Sequence, residues 1–476
     1  MQNTHLPTTD RTRIPLNRTL GLITGTLLVA GCMIGSGVFK KIVPMSQTGL
    51  SETWIVMAWV FAGIVTMLGA FTLAGLSTIT EESGGLYEYF RISFGNFFSF
   101  LFGWADFTIN GAASIAAVAF VFAQTLNTLA PVPNLLPSLE HISIGDFIYP
   151  FADSGIKLLA ILIIVLLTWV NYRGVQKGGV VNNIFTSAKI LGILILIALG
   201  LFYQAPETRH LPVASIANEL QGPAFMSAML TAMLGAFWAY DGWVNLSFIT
   251  GEMKNPRRNV PYAIIAGVSI AMLLYVLVNY AYLNVLSTAE LAAVDKNSIG
   301  AAVVAETLVG RIGRTLIIVL IMVSVFGTVN ALILAHTRVH FRMAQEKFFF
   351  KGVAKVHPTY KTPYQALLYT MVWSCILVIS GTFDMLTDMI IFVIFIFYAL
   401  LGVALLKMKR EGKIKGPVIG YPVVPVILIL FSLALLVNTL MVAPKQSLTG
   451  LGLVLIGVPL YLYFRKKYKE NPIPEE

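Results

Sequence analysis

The feature that most constrains this chain is an acid next to a glycine inside an apolar segment that is long enough to cross a membrane. Residues 237–243 read Phe-Trp-Ala-Tyr-Asp-Gly-Trp, with apolar runs before them (224–234) and after them (244–249). An acid and a glycine together break a helix. Inside a bilayer, opened backbone persists only where protein or a water-filled cavity covers it. The sequence therefore predicts a broken helix that lines a functional cavity.

A second apolar segment has the same character. Residues 31–37 read Gly-Cys-Met-Ile-Gly-Ser-Gly and lie in the middle of the first apolar run. Interrupted segments at corresponding positions of two halves indicate a transporter binding site near the bilayer midplane. The alternative is a helix-packing face, because Gly31 and Gly35 have the Gly-x-x-x-Gly spacing. Packing alone does not explain the matching break in the second half.

Composition indicates an all-α polytopic membrane protein. The chain has 476 residues, of which 57% are hydrophobic and 12% are charged, whereas a soluble domain has about a quarter charged residues. The net charge of +10 does not indicate nucleic-acid binding, because the basic residues lie in short loops between apolar runs. The two cysteines, Cys32 and Cys375, lie inside apolar runs and imply no disulfide framework.

Twelve apolar stretches are predicted to be transmembrane helices, since a crossing takes about 20 residues. We number them span 1 to span 12, and they cover 19–44, 54–78, 97–129, 155–171, 180–203, 223–252, 260–287, 313–337, 363–381, 385–407, 421–442 and 448–465. Most of the 33 Lys and Arg residues fall on the side that also holds both ends. The positive-inside rule then predicts cytoplasmic tails, 1–18 and 468–476, around one transmembrane domain, 19–467.

The two breaks lie in spans 1 and 6, and each of these spans opens a set of five. Five is an odd number, so spans 1–5 (19–203) and spans 6–10 (223–407) insert with opposite orientation. This arrangement predicts a five-plus-five inverted repeat with broken helices 1 and 6, to which spans 11 and 12 (421–465) are appended. The loops 131–150, 204–222 and 288–311 are predicted to lie outside the cell, and the last of them begins with a helix cap at Thr288.

The backbone groups at a broken helix suit a zwitterion. The first half leaves carbonyls unpaired, which suit an ammonium group, and the second half leaves amides unpaired, which suit a carboxylate. In span 1, Gly35 and Gly37 permit close approach of a ligand. The Ser36 hydroxyl is predicted to cap the second half-helix and to donate to the carboxylate.

Three side chains of span 6 are candidates for contact with a substrate. Trp238 and Tyr240 are placed to close over it, although a tryptophan in a membrane span also often serves packing alone. Asp241 either caps the second half-helix or faces the substrate, because an acid inside a membrane is costly unless it is paired or solvated.

Two further ionisable residues lie inside spans. Lys189 is about 13 Å from the start of span 5 at the helical rise, which is too deep for easy contact with water. Such a lysine is functional by default, paired with carbonyls or an acid or able to pass a proton, and a structural pairing is the alternative. Asp106 in span 3 is a candidate partner. His336 and His340 have helical spacing but stand among arginines, and no metal or hydrolase motif is found.

With these residues the chain resembles the amino acid-polyamine-organocation superfamily, and within it the L-amino acid transporter type, close to bacterial serine/threonine exchangers. The motifs that carry the resemblance are at 31–39, 82–89, 183–189, 238–243 and 251–261. The resemblance implies the LeuT-like fold that is shared with sodium-coupled neurotransmitter transporters.

The resemblance also implies roles for particular residues. It implies that Ser36 and the backbone of Gly35 and Gly37 hold the substrate carboxylate. It also implies that carbonyls around Met33, Trp238 and Asp241 hold the ammonium. Trp238 falls at the family's aromatic gate, and Lys189 takes the volume that sodium-coupled relatives give to a sodium ion. The substrate-binding set implied is Met33, Ile34, Gly35, Ser36, Gly37, Trp238, Ala239, Tyr240 and Asp241.

Two departures from the family pattern limit which properties of the family can be transferred to this chain. Position 241 is a glycine in many animal members, so Asp241 makes a transfer of their side-chain selectivity unsafe. Those members also bind a glycoprotein subunit through a cysteine after span 3, and 130–153 contains no cysteine. A disulfide-linked heavy subunit is therefore not expected.

The function expected is sodium-independent transport of neutral L-amino acids across the plasma membrane by alternating access, as an exchanger. A proton-coupled symporter and a carrier of cationic amino acids or polyamines are the alternatives. A channel would show repeated filter residues, a sensor an added soluble domain and an enzyme convergent catalytic groups, and the sequence shows none of these. The expected partners are the amino acid and membrane lipid, with no cofactor, metal or nucleic acid.

Overall fold

The computed structural model describes 18–82, 84–145, 148–174, 178–204, 220–295 and 298–470, with the backbone alone at 178–185 and 468–470. Most of the predicted tail 1–18 and of the predicted loop 204–222 lies outside these residues, as does 471–476.

The described chain is helical apart from two isolated β-bridges, and helices lie at all twelve predicted positions. The unbroken spans are span 2 (Glu52–Leu76), span 4 (Ser154–Tyr172), span 5 (Gly178–Leu201), span 7 (Pro256–Val285), span 8 (Gly300–Gln345), span 9 (Tyr364–Ser380), span 10 (Phe383–Arg410), span 11 (Val423–Val442) and span 12 (Pro444–Glu470). Ten helices of the described chain are long and apolar enough to cross a membrane, and spans 5 and 9 hold shorter apolar helices. These helices are those of a polytopic membrane protein.

The helices of spans 1 and 6 are broken where the sequence predicts it. Span 1 consists of Leu22–Met33 and Gly37–Lys40 and continues into Ile42–Ser46, and span 6 consists of Gly222–Tyr240 and Asn245–Phe248. The first break is narrower than the glycines suggest, because the helix continues through Gly31 and Cys32. Span 3 also departs from regular α-helix: a π-helical turn, Asp106–Asn110, joins Asn96–Ala105 to Gly111–Leu129.

The segment 288–311 is not the continuous loop that the sequence suggests. A short helix, Thr288–Ala292, is capped by Ser287, one residue before the predicted cap, and Ser287 Oγ accepts a hydrogen bond from the Glu290 amide. Span 8 then starts at Gly300, thirteen residues before its predicted start, and bends at Gly310, where φ is 71°. A helix that the sequence did not predict, Leu86–Phe94, lies between spans 2 and 3.

Burial shows where each helix sits in the bundle. The apolar window of span 3 is 83% buried, whereas those of spans 11 and 12 are each 33% buried. Large apolar side chains point outward from the peripheral helices, among them Ile312, Leu430 and Met441. An apolar outer surface of this kind is stable in lipid, which does not penalise it as water does. Span 3 is therefore central, and spans 11 and 12 are peripheral.

Candidate functional site

The two breaks are in direct backbone contact. A Cβ atom on Gly37 would lie 2.5 Å from the Cα of Ala239, and one on Gly242 would lie 2.9 Å from the carbonyl oxygen of Cys32. Gly242 also has φ at 106°, a conformation that side chains rarely permit. Glycine at these two positions is what allows the broken segments of spans 1 and 6 to meet.

Ser36 occupies the N-cap position of the half-helix Gly37–Lys40, but its side chain makes no capping hydrogen bond. The capping role predicted for this hydroxyl is therefore wrong. Ser36 is 2% exposed, and its Oγ has no hydrogen-bond partner within the described part of the chain. An unpaired buried hydroxyl is costly, and this one is free to donate to a ligand.

Carbonyls at both breaks have acceptor capacity left. Met33 O accepts a hydrogen bond from the Gly35 amide at 2.7 Å, and Trp238 O accepts a long one from the Asp241 amide at 3.4 Å. Ile34 O is 3.5 Å from the Ser324 hydroxyl of span 8. Because a carbonyl oxygen has two lone pairs, each of these atoms is able to accept another hydrogen bond, as an ammonium ligand requires.

Trp238 lies at a junction of spans 1, 6 and 10. Its ring makes an edge contact with Phe383, the first residue of span 10, with 6.0 Å between ring centroids. The ammonium groups of Lys40 and Lys41 lie 4.3 and 4.5 Å from the centroid of the same phenyl ring, close enough for cation–π attraction. Lys41 also forms an ion pair with Asp384 at 2.8 Å. The predicted gate residue is thus held in a closed cluster.

The opposite end of the site is closed by the start of span 1. The amide of Leu20 donates to Glu252 O at 3.0 Å, and Leu20 O accepts from the Lys254 amide at 2.8 Å. Glu81 accepts from Arg18 at 2.7 Å and pairs with Arg257 at 3.1 Å. The start of span 1 is therefore held to the segment that follows span 6 by backbone hydrogen bonds.

Ala239 and Tyr240 contact spans 2 and 7. Ala239 O accepts a hydrogen bond from Tyr275 at 3.1 Å, and the Tyr240 hydroxyl donates to Trp59 O at 3.1 Å. The Tyr240 ring packs against Tyr275 and Trp59, at 5.0 and 5.9 Å between centroids. The hydroxyl group of Tyr240 is thus already used to join helices.

Asp241 ends the first half of span 6 but does not cap the second half. The N-cap of Asn245–Phe248 is Val244, with no side-chain hydrogen bond, so the capping alternative for Asp241 is wrong. The Asp241 carboxylate instead accepts a hydrogen bond from Tyr398 of span 10 at 3.3 Å. Both residues line a cavity of about 10 Å³, which is close to the volume that one water molecule needs.

Lys189 joins three spans at the first break. Its ammonium donates to Thr328 Oγ1 of span 8 at 3.0 Å and to the carbonyl oxygen of Gly31 in span 1 at 3.3 Å. Gly31 packs so closely on Thr186 of span 5 that a Cβ atom would not fit. Lys189 thus belongs to the break, and its contacts are carbonyl and hydroxyl oxygens, the kind of ligand that a sodium ion takes.

Asp106 does not pair with Lys189 in the described contacts, so that candidate pairing is wrong. Its carboxylate lies 2.9 Å from His336 Nδ1 and 3.3 Å from His340 Nε2. The helical spacing of the two histidines is the sequence signal for this cluster, although the arginines around them are typical of a basic helix end. Among the described residues, no group of three or more His, Cys, Asp or Glu side chains could hold a metal.

Comparison with known proteins gives consistent matches over nearly the whole chain. A family model described as amino acid permease matches residues 20–461. The serine/threonine exchanger SteT of Bacillus subtilis is 31% identical over 95% of this chain and 98% of its own. The large neutral amino acids transporter small subunit 2 of Oryctolagus cuniculus is 29% identical over 96% and 82%. The b(0,+)-type amino acid transporter 1 of Mus musculus is 28% identical over 97% and 90%.

Proposed function

The chain belongs to the amino acid permease family and is a multi-pass membrane transporter rather than an enzyme, and we propose that it exchanges neutral L-amino acids across the plasma membrane without sodium. Exchange is supported by a relative named as a serine/threonine exchanger, and neutral substrates by one named for large neutral amino acids.

The observation that carries the proposal is the direct contact of the two breaks. Gly37 touches Ala239, so the unpaired Ser36 hydroxyl and the carbonyl oxygens of Met33 and Trp238 belong to one site. The hydroxyl and the nearby amides would hold a carboxylate, and the carbonyl oxygens would hold an ammonium. A ligand with both groups on one carbon satisfies both halves of the site.

The architecture proposed for alternating access is twelve transmembrane helices in a five-plus-five inverted repeat, with both ends of the chain in the cytoplasm. The bundle then rocks around a site at the midplane. Trp238 closes the outer side through Phe383, and opening breaks the Lys41–Asp384 ion pair. The inner side of the site opens when Leu20, at the start of span 1, loses its backbone hydrogen bond to Glu252 O.

Sodium independence rests on Lys189. Its ammonium already bridges span 1 to span 8, at Gly31 O and Thr328 Oγ1. The ammonium at this position supplies the attraction to carbonyl oxygens that an ion would otherwise supply, so we expect no sodium requirement.

Counterflow in proteoliposomes tests the proposal. Liposomes loaded with an unlabelled amino acid should take up labelled amino acid faster than empty liposomes, and a sodium gradient should leave the rate unchanged. A panel of amino acids would identify the preferred substrate. Methyl esters and deaminated analogues of that amino acid should compete poorly, because each lacks one of the two groups that the breaks bind. Equal competition by these analogues would refute the site.

A further inference from the structure

Asp106, His336 and His340 form a buried titratable cluster that the amino-acid site does not use. Asp106 and His340 are each 1% exposed and His336 is 6% exposed. His336 Nδ1 lies 2.9 and 3.0 Å from the two carboxylate oxygens, and His340 Nε2 lies 3.3 Å from Oδ2. Buried charged groups are retained when they are paired, and those that change protonation state mark proton pathways.

Helix geometry brings the three side chains together. The two histidines are four residues apart on span 8, so both face the same side. Asp106 begins the π-helical turn of span 3, and π-helical turns often occur at functional sites. Gly111 follows that turn, and a Cβ atom there would be 2.7 Å from the ring of His336. Span 3 therefore lies against span 8 at the cluster.

The hydrogen bonds around His340 define two arrangements of protons. His340 Nδ1 lies 2.9 Å from Thr370 Oγ1, and Thr370 Oγ1 lies 2.9 Å from Ala366 O. When the Thr370 hydroxyl donates to Ala366 O, Nδ1 of His340 must carry a proton and donate to Thr370 Oγ1. His340 Nε2 then faces the Asp106 carboxylate with a lone pair, unless an additional proton binds between them. Without that proton, the Thr370 hydroxyl must donate to His340 Nδ1 instead, and its hydrogen bond to Ala366 O is lost.

Nε2 of His340 has no well-formed hydrogen bond in the described residues, although it is fully buried beside Oδ2. It is the atom at which one more proton completes the network. Aromatic rings enclose it: Phe107 makes an edge contact at 5.2 Å and Phe349 stacks at 6.4 Å between centroids. These rings separate the imidazole of His340 from open solvent.

The cluster has charged neighbours on spans 6 and 8, and those on span 8 are paired. Asp241 of span 6 is the acid outside the cluster whose charge acts on His336. Span 9 presents the uncharged Thr370. Arg338 and Arg342, on the same helix as the histidines, are paired with Glu252 at 2.8 Å and Glu82 at 3.3 Å.

The cluster also touches the second break. Phe248 ends the half-helix of span 6 that follows the break, and its ring lies 6.0 Å from the His336 ring between centroids. A shift of His336 would therefore move a residue of the half-helix that has to rearrange during transport.

We propose that Asp106, His336 and His340 bind one proton whose occupancy sets the rate of amino-acid exchange, a role that rests on the exchange function proposed above. When bound, the proton lets His340 donate both to Asp106 from Nε2 and to Thr370 from Nδ1 while the Thr370 hydroxyl keeps its hydrogen bond to Ala366 O, so spans 3, 8 and 9 are joined.

Exchange measured at equal pH on both sides of the membrane tests the proposal. The native rate should change about tenfold between about pH 5.5 and about pH 8.5, the range in which histidine titrates. Asp106→Asn should flatten this profile to less than about twofold, and Thr370→Val should shift its midpoint by about one pH unit. Thr337→Val is the matched control and should keep the native profile, because within the described part of the chain the buried Thr337 hydroxyl bonds only its own helix, at Ile333 O.

The apparent melting temperature of the purified protein over the same pH range is the second measurement, and it needs no transport. The melting temperature of the native protein should depend on pH over this range, because the folded cluster binds its proton with a different affinity from the unfolded chain, and Asp106→Asn should remove this dependence. If Asp106→Asn does not fold, the comparison of the pH profiles of Thr370→Val and Thr337→Val decides whether the proposal holds. Native profiles in both assays for Asp106→Asn, or for Thr370→Val, would overturn the proposal. Absence of exchange at every pH, with the melting profile as expected, would instead overturn the exchange function and leave the proton site standing.

Discussion

Replacing Lys189 by methionine is the sharpest test of a lysine that takes the place of a sodium ion. Methionine keeps most of the length and apolar volume of the side chain, so the change removes the charge without opening a large cavity. The structure gives the loss directly: the hydrogen bonds to Thr328 Oγ1 at 3.0 Å and to Gly31 O at 3.3 Å disappear.

The size of the effect follows from those two bonds. A hydrogen bond to a charged group contributes about 1.5–3 kcal/mol, and the 3.3 Å bond belongs at the lower end, so the pair contributes about 3–4 kcal/mol. If this energy holds span 1 to span 8 during the conformational change, its loss slows exchange by about 100- to 1000-fold. A merely structural lysine would lower stability and leave the rate per folded molecule close to native.

The chain offers a matched control in Lys157 of span 4, which is 6% exposed. Its ammonium donates to Tyr149 O at 2.5 Å and to Ile379 O at 3.0 Å, and neither carbonyl belongs to a break. Lys157→Met should therefore lower the melting temperature but leave counterflow within about threefold of native. Counterflow is measured for both variants and normalised to folded protein.

Two results would remove Lys189 from the mechanism. One is a Lys189→Met variant with the native rate and the native pH profile. The other is concentrative uptake by the native protein that is driven by a sodium gradient, because the ammonium would then not have replaced the ion.

Two further predictions concern the breaks. Gly37→Ala puts a methyl group 2.6 Å from Ala239 Cβ, so we expect a loss of about 1–3 kcal/mol in stability and loss of exchange, whereas Gly35→Ala, whose nearest neighbour is 3.5 Å away, should melt like the native protein. Equal melting temperatures for the two variants would contradict the contact between the breaks. Trp238→Ala removes the ring that packs on Phe383 and should slow exchange at least about tenfold at normal expression; unchanged exchange would assign Trp238 to packing.

The breaks could be predicted from sequence because glycines and an acid destabilise a membrane helix unless the backbone opens where they stand. The early start of span 8 could not be predicted from sequence. Glu306, Arg311 and Arg314 make the segment look like a loop, since hydropathy counts three charges there. In the structure Arg314 pairs with Glu306 at 3.0 Å across the kink at Gly310, and helix lies on both sides of that kink. A hydropathy scale measures the cost of a charge in lipid and does not include the ion-pair partner that offsets this cost.

The side-chain partners at the site depend on how helices far apart in sequence are rotated against each other. Asp106 and His336 are 230 residues apart, and no local pattern relates the faces of spans 3 and 8. The same reason explains why the hydrogen-bond partner of Asp241 could not be predicted. Local rules favour a cap in the next half-helix, but the fold brings the hydroxyl of Tyr398 from span 10 within reach of the carboxylate.

Span 8 links the features that sequence analysis treated separately. Ser324 and Thr328 lie beside the first break, where they contact Ile34 O and the Lys189 ammonium. Two turns further on, about 12 Å along the axis, His336 contacts both Asp106 and Phe248 after the second break. One helix thus contacts both breaks: its Thr328 binds the Lys189 ammonium of span 5 at the first break, and its His336 belongs to the titratable cluster at the second. A change of protonation at the cluster and a rearrangement of span 1 at Lys189 therefore act on the same helix, which is the physical requirement for coupling between them.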